Sequence, residues 1–209
     1  MIPLILFALL LQPAQRASLN CADTGSSAAA AETQPVRGPG GAVAVLKVSS
    51  ADDHSKNSHE CNAEYQLLFT SAGTRTPVVV DLEQSDGEYG RSLSLHLEGF
   101  SQDGKHVFGV LSEGGKYAIT LVFDYDTARG QVQLIDLPKE FMGSSVCPTA
   151  LSVTGTDEKG EIALELNSAS GCAPKRRLLL DPISHKLQNL SQTTTILSLY
   201  KSESQAPAR

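Results

Sequence analysis

The fold is decided between Ser92 and Leu137, which read SLSLHLEGFSQDGKHVFGVLSEGGKYAITLVFDYDTARGQVQLIDL. Leu93, Leu95 and Leu97 alternate with Ser92, Ser94 and His96, the period-two pattern of a strand with one face buried. Val107 to Leu111 follows, and then Ile119, Leu121, Phe123 and Tyr125 fall on one face of a third run. Val132 to Leu137 is a fourth. Asp103-Gly104, Gly114-Gly115 and Arg129-Gly130 lie between these runs and supply the positive φ that hairpin turns need.

The same alphabet extends both ways. Val43 to Val48, Gln66 to Thr70 and Val78 to Leu82 precede the stretch; Leu151 to Thr154, Ile162 to Leu166, Arg177 to Leu180 and Ile196 to Tyr200 follow it, with Lys159-Gly160 as a further turn. No segment carries a helical stripe of ten residues. An internal repeat is visible: Gly104 to Gly160 is 56 positions and Asp126 to Asp181 is 55. A looser copy is read before them, with VVVDL (Val78 to Leu82) in the place of the Asp126 region. The expected class is all-β, an antiparallel meander forming a sandwich or open barrel of blade-like units.

The string Phe100-Ser-Gln-Asp-Gly-Lys105, followed by a strand, the turn Asp124 to Gly130 and QVQLIDL, resembles one blade of the periplasmic β-propeller repeats of the TolB and YncE type. The resemblance covers about 45 residues well and a further 45 poorly. It implies that the F-S-x-D-G-K string makes the first hairpin of a blade, and an alternative architecture, a partial propeller or one completed by several chains. Three units at most fit between residues 42 and 200, too few for a ring of four to eight blades.

Ile2 to Leu11 is an unbroken apolar run of ten residues, too short to span a bilayer of about 30 Å. It reads as the core of a signal peptide over 1–17, cleaved after Ala14 or Ala17, so the protein is expected to be exported, periplasmic or extracellular. Residues 18–41 contain ADTGSSAAAAETQPVRGPGG and are expected to be a flexible linker. The domain then spans 42–200, and 201–209 is a polar tail.

With 17 Lys plus Arg against 23 Asp plus Glu, and Lys175-Arg176-Arg177 the sole basic cluster, nucleic acid is not an expected partner. The absence of Trp argues against stacking platforms. Cys147 and Cys172 flank the hairpin expected around Asp157 to Gly160 and are assigned to one disulfide; Cys21 and Cys61 form a second pair, or Cys21 carries a lipid anchor. His54, His59 and Glu60 are residue types that bind zinc or copper, but a His spacing of five suits neither helix nor strand, so a hydrated loop is the preferred reading.

Asp124, Asp126 and Gly130 depart from a calcium loop, and Ser198 to Lys201 matches S-x-x-K without companion motifs. His96, His106 and His185 are read as isolated surface residues. No catalytic set and no cofactor is assigned. The favoured function is a non-catalytic binding or scaffolding domain whose partner is another envelope or extracellular protein. The alternative is a hydrolase or metal-dependent enzyme with a site assembled from distant loops.

Overall fold

A computed structural model describes residues 16–20, 29–53, 60–87, 92–114, 119–137, 143–144, 147–168 and 174–200. The described chain is all-β, and every strand pair in it is antiparallel. The strands in chain order are β1 (Arg16–Asn20), β2 (Ala29–Glu32), β3 (Val36–Arg37), β4 (Val43–Asp53), β5 (Glu60–Thr70), β6 (Val78–Gly87), β7 (Ser92–Phe100) and β8 (His106–Gly114). They continue as β9 (Ile119–Asp126), β10 (Gln131–Asp136), β11 (Gly143–Ser144), β12 (Cys147–Thr156), β13 (Ile162–Ser168), β14 (Arg176–Leu180), β15 (Leu187–Asn189) and β16 (Leu197–Ser198).

They form three sheets. The first is ordered β2-β4-β5-β6, with β3 also on β4; the central one is β1-β7-β8-β9-β10; the third is β11-β12-β13-β14-β15, with β16 also on β12. One hydrophobic cluster joins the first sheet (Leu46, Tyr65, Leu67, Phe69) to the central one (Leu95, Leu97, Phe123, Tyr125). A second joins the other face of the central sheet (Phe108, Val110, Val122, Ile135) to the third (Val153, Ile162, Leu164, Leu178). The expected sandwich therefore has three layers, and the central strands are not half-buried as their alternation suggests. In β8, Val107 and Leu111 face the first sheet while Phe108 and Val110 face the third. Gly109 fits because any Cβ there would lie 2.3 Å from the Phe123 ring.

The sequence repeat is a repeat of turn chemistry. In the central sheet, Gly104 (φ 73) donates its N–H to Ser101 O, and in the third Gly160 (φ 86) donates to Asp157 O. Asp126 Oδ1 accepts the amides of Ala128 and Arg129, and Asp181 Oδ1 accepts those of Ile183 and Ser184. Gly130 N–H closes the first of these turns onto Asp126 O, and His185 N–H closes the second onto Asp181 O. His185 takes the left-handed φ of 56 that Gly130 takes at 65. The register also shifts between Leu97 and Gly99 in β7 and between Val153 and Gly155 in β12. The two bulges stand 56 positions apart, the spacing of the glycine turns.

The looser first copy lacks this landmark, since Asp81 lies within β6 opposite Gln66 and not in a turn. Residues 29–41 also correct the expected linker. Ala29–Glu32 pairs with Lys47–Ser50, buried Thr33 donates its N–H to Leu46 O and accepts the Leu46 amide at Oγ1, and Val36 is core. Small residues serve close approach here: a Cβ on Gly38 would lie 2.6 Å from the Phe100 ring. Residues 16–20, expected as the end of the leader and the start of the linker, form β1 on the edge of the central sheet. At the other end Tyr200 exchanges two backbone hydrogen bonds with Phe100.

Candidate functional site

The two equivalent bulges face each other across the central and third sheets and frame a cleft of about 390 Å³ lined by His96, Glu98, Ser152, Thr154, Ser198 and Leu199. A bulge re-aims a side chain that a regular strand would send elsewhere. Glu98, 2% exposed, crosses between the sheets and accepts the Val153 amide at 3.0 Å. His96 Nδ1 lies 3.2 Å from the same oxygen. A buried carboxylate requires such partners, because desolvation disfavours its charge. β16 closes the cleft from the side: Leu199 N–H bonds Thr154 O at 3.3 Å, and Gln102 Nε2 donates to Ser198 O. Gly155 permits this, as a Cβ there would meet Leu197 O at 2.2 Å.

A second polar group surrounds the repeated turns of the central sheet. His106 Nδ1 lies 2.8 Å from Asp124 Oδ1, and its ring stacks on Phe108 with centroids 5.9 Å apart. The hydrogen bond to Asp124 raises the His106 pKa above its ordinary 6.5, helped by the charges of Asp124, Asp126 and Asp103 and opposed by partial burial. Ser101 Oγ donates to Asp103 Oδ1 at 2.7 Å, and this bond, chiefly, brings the Asp103 carboxyl down to about 2. Ser101 Oγ also accepts the His106 amide, while Asp103 accepts that of Lys105. The string F-S-Q-D-G-K is thus a hairpin whose polar atoms serve its own turn. Asp124 and Asp126, weighed as a calcium loop, are occupied by His106 and by the 126–130 turn.

The third feature is apolar and wet. On the outer face of the first sheet, Val45 opposes Leu68 and Leu68 opposes Val79, making a continuous cross-strand row. Val79 and its neighbour Val78 are each 54% exposed. The next row is polar: Lys47 opposes Gln66, whose Nε2 donates to Asp81 Oδ1 at 3.0 Å.

His96 and His106, expected as isolated surface residues, instead each face a carboxylate, and His185 Nε2 lies 3.2 Å from Gln133 Nε2. H-x-E at 96–98 and the doubled glycine bulge were the available signals for the cleft. Of the weighed metal ligands, His54 and His59 lie outside the described residues, and Glu60 opens β5 opposite Asp53. Among the described residues no group of three or more metal-binding side chains converges. Cys61 stands in β5 opposite Asp52 and Cys147 in β12 opposite Ser144, whereas Cys21 and Cys172 lie outside the described residues. Within Lys175-Arg176-Arg177, Lys175 pairs with Glu165 at 2.6 Å. Among the described residues no helix is long and apolar enough to cross a membrane.

No family model matches the chain, and no match is found among curated proteins or solved structures.

Proposed function

We propose that this protein is an exported, non-catalytic binding or scaffolding domain that meets another protein through its first sheet. The observation that carries the reading is the Val45–Leu68–Val79 row together with the exposure of Val78 and Val79. An apolar row held flat across three strands gains by being covered, whereas single exposed aliphatics need no explanation. The reading is tested by affinity capture from an extract of the protein's native compartment. Partners retained by the wild type and lost with Val79→Lys support it; capture unchanged by that substitution overturns it.

Export rests on the Ile2 to Leu11 run. Cleavage after Ala14 leaves β1 whole, so mass spectrometry of the native protein is expected to give a new N-terminus beginning at Gln15. An intact Met1 in a cytoplasmic fraction would overturn export.

One observation favours the enzyme alternative: His96, Glu98, Ser152 and Ser198 line one cleft from separated strands, with Thr154 beside them, its hydroxyl donating to Ala163 O. Glu98 is engaged in bracing Val153, which suits a structural role better. Labelling of Ser152 or Ser198 by a fluorophosphonate probe would turn the argument toward a hydrolase.

A further inference from the structure

We propose that the partner adds a strand to the free edge of β6, and that its added segment is extended, with an aliphatic and a basic residue two positions apart so that both fall on the face carrying Val79 and Asp81. The inference rests on the binding reading given above for the first sheet, and it specifies the mode and the chemistry. Edge strands expose unpaired amides and carbonyls, and proteins ordinarily blunt them by keeping them short or by placing Lys or Pro in them. The other outermost strands follow that rule: β1 has five residues, β2 four, β3 two, β10 six, β11 two, β15 three and β16 two. β6 has ten, and its sequence VVVDLEQSDG contains neither Lys nor Pro.

Among the described residues β6 pairs with β5 alone. Val78 and Val79 point to opposite sides of the sheet, yet each is 54% exposed, so the start of this strand is uncovered on both faces. A shift in register between Tyr65 and Gln66 leaves Val78–Asp81 as a regular four-residue stretch before the irregularity. That stretch is the docking length, and strand addition there would extend the row Val45–Leu68–Val79 by one more aliphatic side chain.

Charge selects the occupant. Asp81 is exposed on this edge, and β6 also carries Glu83 and Asp86 with no basic residue. Two copies joined edge to edge would bring together two acidic strands with no Lys or Arg in either, and like charge brought across a ladder is destabilising. A segment bearing Lys or Arg beside Asp81 turns the same groups to advantage.

The test uses the whole chain and two acetylated threonine-rich hexapeptides, alike except that one carries Val and Lys two positions apart and the other Val and Glu two positions apart. Saturable binding of the Lys peptide is expected, with slowed amide exchange confined to Val78–Asp81 and with weakening at higher salt. Val79→Lys should weaken that binding about tenfold or more. Asp81→Lys should reverse the preference toward the Glu peptide, a result that unfolding cannot mimic. Equal binding of both peptides, protection elsewhere, or a dimer that protects β6 without peptide would overturn the inference. If Val79→Lys abolishes capture of a native partner while neither peptide protects β6, the binding reading stands and strand addition fails.

Discussion

Replacing Glu98 by Ala tests whether the inter-sheet cleft is held by a brace. The carboxylate is 2% exposed and accepts the Val153 amide at 3.0 Å from the facing sheet. Its removal strands a buried N–H, which costs about 1–3 kcal/mol. The lost methylene packing leaves a small cavity worth roughly another 1 kcal/mol. The sum of about 2–4 kcal/mol lowers the melting temperature by roughly 5–15 °C for a domain of this size. Glu98→Gln keeps an acceptor oxygen for Val153 and should cost about half as much or less. Urea unfolding followed by circular dichroism gives the energies, and amide exchange at Val153 gives the location. A Glu98→Ala loss under about 0.5 kcal/mol, with Val153 exchange unchanged, would refute the brace.

Three further outcomes follow from the geometry. Gly155→Ala places a Cβ 2.2 Å from Leu197 O, so β16 must shift; about 1–3 kcal/mol of stability should be lost, and the Leu199 amide, bonded to Thr154 O, should exchange faster. The His106 pKa, read by NMR titration, should lie above 6.5 and fall back toward it in Asp124→Asn. Because the folded value is raised, the stability this pair supplies is complete below 6.5 and is lost as pH rises through the folded pKa. Non-reducing peptide mapping of the native protein should recover a Cys147–Cys172 crosslink: the β12–β13 ladder reaches Thr149–Ser168, with Cys147 two positions before it and Cys172 four after. Free thiols at both, or a Cys61–Cys147 link, would refute that pairing.

The strands that alternate were legible. Leu95–Leu97, Leu121–Tyr125 and Ile162–Leu166 announce themselves because every second side chain enters a core. β2, β3 and β11 read AAAE, VR and GS and carry no such signal; β2 and β3 form on β4, and β11 on β12. The composition of 29–41 suggests a linker because Gly and Ala are small, and the same smallness lets Gly38 lie against Phe100. Period two also hides a second buried face: nothing in SLHLEGF states that Glu98 will be covered by another sheet. The paired glycines at 99 and 155, each inside a strand, mark the bulges and were a readable sign of the cleft. The β6 edge was visible only as VVVDL, since the sequence does not say which strand ends a sheet.

A photo-crosslinking residue placed at position 79, and separately at position 152, in the protein expressed in its native host tests the binding reading most directly. Position 79 stands on the exposed edge strand and position 152 in the cleft. A discrete adduct with another protein is expected from position 79 and none from position 152. Adducts from position 152 alone, or none from either, would contradict the binding reading.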